Sequence, residues 1–208
     1  MGCGTALPTL VLFYHALSQS IPLYFTLADY NADVLRTVTL PNLLLTWAMH
    51  LTPGEEPFSA SNLNPLHLTN ADHGELELTP ELLSAFQQHL SSQGLILTFV
   101  SGSWLPSSSF LPLLPTAPEL STFLMASETI YSPSSLRAFT EILAGILKEV
   151  RTGKAVVAAK RVYFGVGGSV EEFRRECSTR AMVAYEMPNE DGFGEGGVRR
   201  VVMEVQML

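Results

Sequence analysis

Apolar positions fall along this chain in short blocks whose period keeps changing, and the changes mark out alternating helices and strands. Ala6–Ser18 has helical length and is apolar nearly all round, which predicts a helix buried against a sheet. Ile21–Ala28 (IPLYFTLA) is a short apolar and aromatic run that reads as a buried strand, ended by Asp29-Tyr30-Asn31. A second helix is predicted from about Ala32 to His50, with Val34, Leu35, Val38 and Leu45 on one stripe. Pro41 lies inside that run and predicts a kink or a break. Residues 51–78 hold three prolines with His67 and His73, and read as a loop insertion.

Thr79 has the chemistry of an N-cap and Pro80 suits a first helical position, so a helix should run to about Ser92, closed by Gly94. Leu95–Ser101 (LILTFVS) is a third strand, followed by Gly102-Ser103-Trp104 and a Ser/Pro-rich loop over 105–118. Leu120–Ser127 is a fourth strand running into Ser127-Glu128-Thr129-Ile130-Tyr131. Ser135–Arg151 reads as an amphipathic helix, Lys154–Tyr163 as a fifth strand, and a short charged helix should end near Cys177. Ala181–Glu186 and Val198–Met207 predict an antiparallel pair joined by an acidic, glycine-rich loop at 188–197. This alternation implies a mostly parallel α/β sheet with helices on both faces and an antiparallel edge.

Composition narrows the function more than the fold. A chain of 208 residues that is 47% hydrophobic can bury one good core, so a single domain over 1–208 is expected. A net charge of −8 argues against direct nucleic-acid binding and suits a basic protein partner, although solubility accounts for it equally well. Two cysteines, Cys3 and Cys177, are too few for a disulfide framework or a zinc ribbon, which points to a reducing compartment. The apolar stretch Leu7–Leu17 lacks a basic leader and is too short to span a bilayer, so neither a signal peptide nor a membrane segment is expected. The histidines show no metal-ligand spacing, and no nucleophile elbow surrounds any serine.

In an open α/β sheet, ligands bind outside the carboxyl ends of the strands. Here those ends carry Gly2-Cys3-Gly4, Asp29 with Asn31, Gly102 with Trp104, Ser127-Glu128 with Tyr131, and Tyr163 with Gly165-Val166-Gly167-Gly168. Each has a plain alternative. Asp29 or Asn31 could cap the next helix, Trp104 could be a core anchor, and the last glycine turn could admit either a ligand or another backbone. Jointly, a glycine turn with an acid about twenty-five residues on is the layout for an adenosine-bearing cofactor, either a nicotinamide or S-adenosylmethionine. A nicotinamide oxidoreductase would want a third glycine where Leu7 stands and a hydride-relay pair that is not found.

The strings Gly2-Cys3-Gly4-Thr5-Ala6-Leu7-Pro8, Asp29-Tyr30-Asn31, Thr39-Leu40-Pro41-Asn42, Ser101-Gly102-Ser103-Trp104, Ser127-Glu128-Thr129-Ile130-Tyr131 and Tyr163-Phe164-Gly165-Val166-Gly167-Gly168 occur in that order. Together they resemble the protein-histidine N-methyltransferases of the METTL-eighteen and yeast histidine protein methyltransferase one type. The resemblance covers almost the whole chain. It implies a Rossmann-like, seven-strand class I methyltransferase sheet with a C-terminal antiparallel hairpin. In that family a first strand and a longer N-terminal region precede the glycine turn. With Met1 directly before Gly2, the sheet is expected to lack its first strand.

Carried over, the resemblance implies that Gly2, Cys3 and Gly4 meet the methionine end of S-adenosyl-L-methionine and that Asp29 holds the ribose, helped by Tyr30 or Asn31. Gly102, Ser103 and Trp104 would border the adenine, and Ser127 would lie near the transferable methyl. Glu128 and Tyr131 match the acid-x-x-aromatic pattern that lines the substrate channel, and they are the expected catalytic pair. Tyr163, Gly165 and Gly167 are placed on the substrate side, with no metal. The implied substrate is a basic protein, protein three of the large ribosomal subunit, met by a monomeric enzyme in cytoplasm and nucleus. Two neighbouring readings are a protein-lysine methyltransferase and an impaired relative that only binds protein.

Overall fold

In the computed structural model, which describes residues 1–208 apart from 60, 68–74, 116 and 189–199, α1 spans Leu7–Gln19 with Pro8 in its first turn. β1 (Tyr24–Asp29) follows. The predicted second helix breaks where Pro41 required it to, into α2 (Ala32–Val34), a wide π-helical turn over Leu35–Thr39, and α3 (Leu40–His50). Proline has no N–H to give and its ring crowds the carbonyl one turn back, so the chain opens by one residue just before it. The buried Thr39 donates its hydroxyl to the Gly4 carbonyl at 2.6 Å inside that turn.

α4 (Pro80–Ser92) carries the expected cap, the Thr79 hydroxyl accepting the Leu82 N–H at 3.2 Å. Gly94 ends it at φ +66°, and Leu95 N–H reaches the Leu90 carbonyl at 2.8 Å. β2 (Ile96–Ser101) leads into the 105–118 stretch, which contains α5 (Ser107–Phe110) and a 3-10 turn over Leu111–Leu113. The reason is apolar: Phe110 is buried, and Leu111 lies so close to Gly145 that a Cβ there would stand 2.6 Å from it. β3 (Ser121–Ser127), α6 (Pro133–Glu149), β4 (Thr152–Lys160), α7 (Val170–Ser178), β5 (Met182–Glu186) and β6 (Arg200–Met207) complete the order. Ser132 and Ser169 cap α6 and α7. His73 and all of the predicted 188–197 loop except Pro188 lie outside the described residues.

The described strands form two sheets, β1 with β2, and a mixed sheet in the order β3-β4-β6-β5. β3 and β4 are parallel, with Leu124 opposite Ala155, while β6 runs antiparallel to both β4 and β5. The C-terminal pair is antiparallel as expected, but its reversed strand is interior rather than marginal: β6 sits between β4 and β5. Val201, Met203 and Val205 of β6 are buried, and an interior lane gives them cover that an edge would not.

By their contacts the residues group into two compact units. One holds Met1–Cys3, Ala28–Asn31 and Val100–Leu208; the other holds Gly4–Leu27 and Ala32–Phe99. In the first, α6 presents Leu136, Phe139, Leu143 and Leu147 at helical spacing to Ala155, Val157, Met203 and Val205. The Phe139 ring lies 6.0 Å from Phe173 on α7 and 5.8 Å from Trp104. No helix among the described residues is long and apolar enough to cross a membrane.

In the second unit, Phe13 meets Phe25 edge-on at 5.8 Å and Trp47 tilts over Phe86 at 5.2 Å. Trp47 Nε1 donates to His89 Nδ1 at 3.0 Å, so the imidazole must be neutral with its proton on Nε2. Burial, and to a smaller extent His50, push the His89 pKa down against a weaker opposing pull from Glu55. Above the ordinary value of 6.5 both folded and unfolded chains keep this histidine neutral. Below it the unfolded chain takes the proton first, so stability should fall with pH until the lowered folded value is passed. Urea midpoints from pH 7.5 to about 5 should show this decline, and His89→Gln should flatten it.

Candidate functional site

The first unit gathers the strand ends through backbone bonds. The Met1 nitrogen donates to the Met125 carbonyl at 2.7 Å, and Cys3 N–H donates to the Ala28 carbonyl at 3.1 Å. Residues 1–3 thereby bridge β3 and the carboxyl end of β1. Gly102 N–H donates to the Asp29 carbonyl at 3.2 Å, which brings the end of β2 alongside. Gly2, at φ +61°, is closely approached: a Cβ there would lie 3.3 Å from Thr129 Cγ2 and 3.9 Å from the Trp104 ring. Gly2, Cys3, Asp29, Gly102, Trp104 and Ser127–Thr129 are thus drawn together in one unit. Gly4, at φ +49°, belongs to the other unit, where its carbonyl accepts from Thr39.

Asp29 sits half-buried and turns the chain, one carboxylate oxygen accepting the Asn31 N–H at 3.1 Å. Tyr30 is 76% exposed. Gly102 holds φ +135° with open space where a Cβ would stand, and the exposed Ser103 accepts the Leu105 N–H at 3.2 Å. Trp104 packs as the core anchor that is one of its two readings. Its ring packs on Phe139, yet its Nε1 finds no partner among the described residues. The Thr129 hydroxyl, in a residue 3% exposed, is likewise unpartnered. Buried polar atoms are rarely left so, and carbon atoms of the same two side chains lie against Gly2.

Ser127 is exposed at the end of β3, and Glu128 follows at φ +56°, a left-handed conformation rare for a side chain of its size. Its N–H donates to the Ala158 carbonyl at 2.9 Å, which holds the backbone there. Arg200 Nε stands 3.8 Å from the Glu128 carboxylate. Tyr163 is 6% exposed, and its hydroxyl accepts the Lys160 N–H at 3.2 Å. Burial first, then Glu128, pushes the Tyr163 phenol up to about 12. The Lys160 ammonium lies 5.6 Å over the same ring.

The closing glycine turn is shaped by its neighbour. Gly165 and Gly167, at φ +79° and +92°, make the bend, and Gly167 N–H closes on the Tyr163 carbonyl at 3.0 Å. Gly168 seats it: its N–H donates to the Tyr131 carbonyl at 3.1 Å, and a Cβ there would stand 2.0 Å from the Ile130 carbonyl oxygen. The close approach is therefore to another backbone. Phe164, at the tip, is 87% exposed, and Val166 and Tyr131 are exposed beside the same turn. Sequence reasoning gave no role to Thr129 or Arg200. Thr129 lies inside the Ser127–Tyr131 segment, whereas nothing local to Arg200 points to Glu128. Cys177 is fully buried and its thiol is pushed up to about 12 by that burial, so it is packing rather than chemistry.

These residues fit S-adenosylmethionine. A ribose diol needs a carboxylate acceptor such as Asp29, an adenine needs the open backbone of Gly102, and a polar amino-acid end suits a bare Gly2 beside Trp104 and Thr129, two side chains that each hold an unpartnered buried polar atom. No cluster of three or more His, Cys, Asp or Glu among the described residues could hold a metal.

No family model matches the chain. It is 40% identical over 177 residues to histidine protein methyltransferase 1 of Saccharomyces cerevisiae, across 83% of this chain and 47% of that protein. It is 35% identical over 173 residues to the protein of the same name in Schizosaccharomyces pombe, across 83% and 46%. The chain belongs to the histidine protein methyltransferase 1 family. It spans about half the length of the curated relatives it matches. Among solved structures, the methyltransferase domain of bacterial CtHen1-CN aligns with a TM-score of 0.50 at 13% identity, covering 100% of this chain and 87% of that one. That likeness concerns the fold alone, which is of the class I methyltransferase kind. In this family setting the strand-end cluster of the first unit is the candidate active site.

Proposed function

We propose that this chain is an S-adenosylmethionine-dependent methyltransferase acting on a histidine in a basic protein, a protein of the large ribosomal subunit. The observation that carries the reading is 40% identity over 83% of the chain to a histidine protein methyltransferase. When bound, S-adenosylmethionine supplies an electrophilic methyl group on a sulfonium. Asp29 would accept from the ribose hydroxyls, with Tyr30 or Asn31 beside it, and the Gly102–Trp104 segment would border the adenine. Gly2 and Cys3 would present backbone to the methionine end.

The remaining work is done on the substrate. A histidine side chain with an ordinary pKa near 6.5 is largely neutral at pH 7 and already carries a nucleophilic nitrogen, so little general-base power is required. What the site must do is choose which ring nitrogen points inward and hold it still. Glu128 can accept the N–H of the other nitrogen, and its negative charge favours a ring that becomes cationic. Tyr131 and the exposed tip of the 163–169 turn offer apolar surface to flank the target. The net charge of −8 suits a basic partner.

Calorimetry on the purified chain should show S-adenosylhomocysteine binding and no NAD binding. Asp29→Ala should weaken that binding about tenfold or more, as expected for hydrogen bonds to a charged acceptor. Binding of NAD, abolished by Asp29→Ala, overturns the reading. Methyl transfer to large-subunit ribosomal protein three, located by mass spectrometry, separates histidine from lysine as the target. Protein binding without transfer would leave a binding module instead.

A further inference from the structure

Two buried donors, just past the carboxyl ends of β2 and β3, have no acceptor among the described residues. Thr129 is 3% exposed, and its hydroxyl makes no hydrogen bond there. The indole N–H of Trp104 is buried and unpartnered in the same way. Leaving such a group unmade costs more than the bond itself contributes, so native folds rarely keep one. Here the two side chains converge on one glycine. The Cβ position of Gly2 lies 3.3 Å from Thr129 Cγ2 and 3.9 Å from both Cζ2 and Cη2 of Trp104. In each side chain the polar atom stands close to a carbon that meets Gly2: Oγ1 shares Cβ with Cγ2, and Nε1 shares Cε2 with Cζ2. Both side chains are also held. Phe139 backs the indole at 5.8 Å, and Thr129 lies between Glu128, whose N–H is tied to Ala158, and the fully buried Ile130.

The chemistry of the pair restricts what can satisfy it. An indole N–H only donates, and a threonine hydroxyl can donate as well, so the group that serves both is an acceptor. Of the two charged groups on the amino-acid end of S-adenosylmethionine, the carboxylate accepts and the ammonium does not. We propose that Thr129 Oγ1 and Trp104 Nε1 are the donors that hold the carboxylate of the cofactor's amino-acid end beside Gly2. This deepens the function proposed above and rests on it for the identity of the ligand. The free chain carries the cost of two unmade bonds, and binding removes it. Trp104 thus serves the amino-acid end through its N–H, while the open backbone of Gly102 is left to the adenine.

The test compares Thr129→Val, Thr129→Ser and Trp104→Phe in the full chain, with S-adenosylhomocysteine and methylthioadenosine as probes. The second probe keeps the adenosine and the sulfur but lacks the amino-acid end. Thr129→Val and Trp104→Phe should each weaken S-adenosylhomocysteine binding about tenfold in calorimetry, and change methylthioadenosine binding by less than about twofold. Thr129→Ser keeps a hydroxyl and should restore most of the affinity. Without ligand, Thr129→Val should raise the melting temperature by roughly 2–5 °C, since it removes an unmade donor and keeps the shape. A Thr129→Val chain that melts lower than wild type has lost a hydroxyl with a partner in the fold, bound water included, and overturns the inference. Unchanged S-adenosylhomocysteine affinity, or equal losses for both probes, overturns it as well. A wild-type chain that binds neither probe withdraws the functional reading itself, and the ligand assignment with it.

Discussion

Gly168→Ala is expected to destabilise the first unit by roughly 2–4 kcal/mol, because overpacking against backbone leaves nothing to rotate away. The added Cβ would stand 2.0 Å from the Ile130 carbonyl oxygen and 2.5 Å from the Tyr131 carbonyl carbon. The turn would have to lift off, giving up the Gly168 N–H bond to the Tyr131 carbonyl. Thermal melts should fall by roughly 5–15 °C for a chain of this size. Because the same contact places Tyr131, turnover should drop while S-adenosylhomocysteine binding at the proposed Gly2 and Asp29 position survives. Gly165→Ala is the control. Its Cβ enters open space at φ +79°, so only left-handed strain of about 1–2 kcal/mol is expected. Equal behaviour of the two variants would show that the seat on Ile130–Tyr131 is unimportant.

Phe139→Ala should cost still more, about 3–5 kcal/mol, the usual range for emptying a buried phenylalanine site. Its side chain is 0% exposed and stands between Trp104 and Phe173. Against a domain stability of roughly 5–15 kcal/mol, that loss brings the first unit near unfolding at ambient temperature. The cavity also removes the backing of Trp104, whose ring is a neighbour of Gly2. Cofactor affinity should therefore decline with stability, although Phe139 touches no part of the proposed cofactor position. Phe139→Leu keeps most of the volume and should lose less than about 1.5 kcal/mol. Denaturant midpoints with calorimetry on the same samples would separate the two effects. An alanine variant that melts like wild type would show that α6 packs differently.

Much of the architecture could be read residue by residue. Thr79 capping α4, Gly94 closing it, Pro41 breaking the second helix and the stripe of Leu136, Phe139, Leu143 and Leu147 on α6 are all short-range signals. Each depends on atoms within one or two turns, so a local pattern is sufficient to specify it. The strand ends were legible for the same reason: an apolar run stops at Asp29, Gly102 and Ser127, and polar residues begin. The Ser/Pro composition of 105–118 hid α5, because Phe110 is ordered by the core it enters rather than by its neighbours in sequence.

Local pattern thus established the alternation of helices and strands, the caps that bound them, and a set of polar strand ends suited to an adenosine-bearing ligand. Which strand lies beside which was settled by packing. β6 enters between β4 and β5 because Val201, Met203 and Val205 gain cover there, and no pairing rule within the strand encodes that choice. The roles of the glycines divided in the same way. Gly165 and Gly167 are turn residues by their own φ, but Gly168 is glycine because a distant backbone lies against it. The approach of Arg200 to Glu128 likewise joins the ends of two elements far apart in the chain. Side chains far apart along a chain become neighbours only after the sheet has chosen its order, since burial and pairing act through space and sequence periodicity reports only on the nearest few residues.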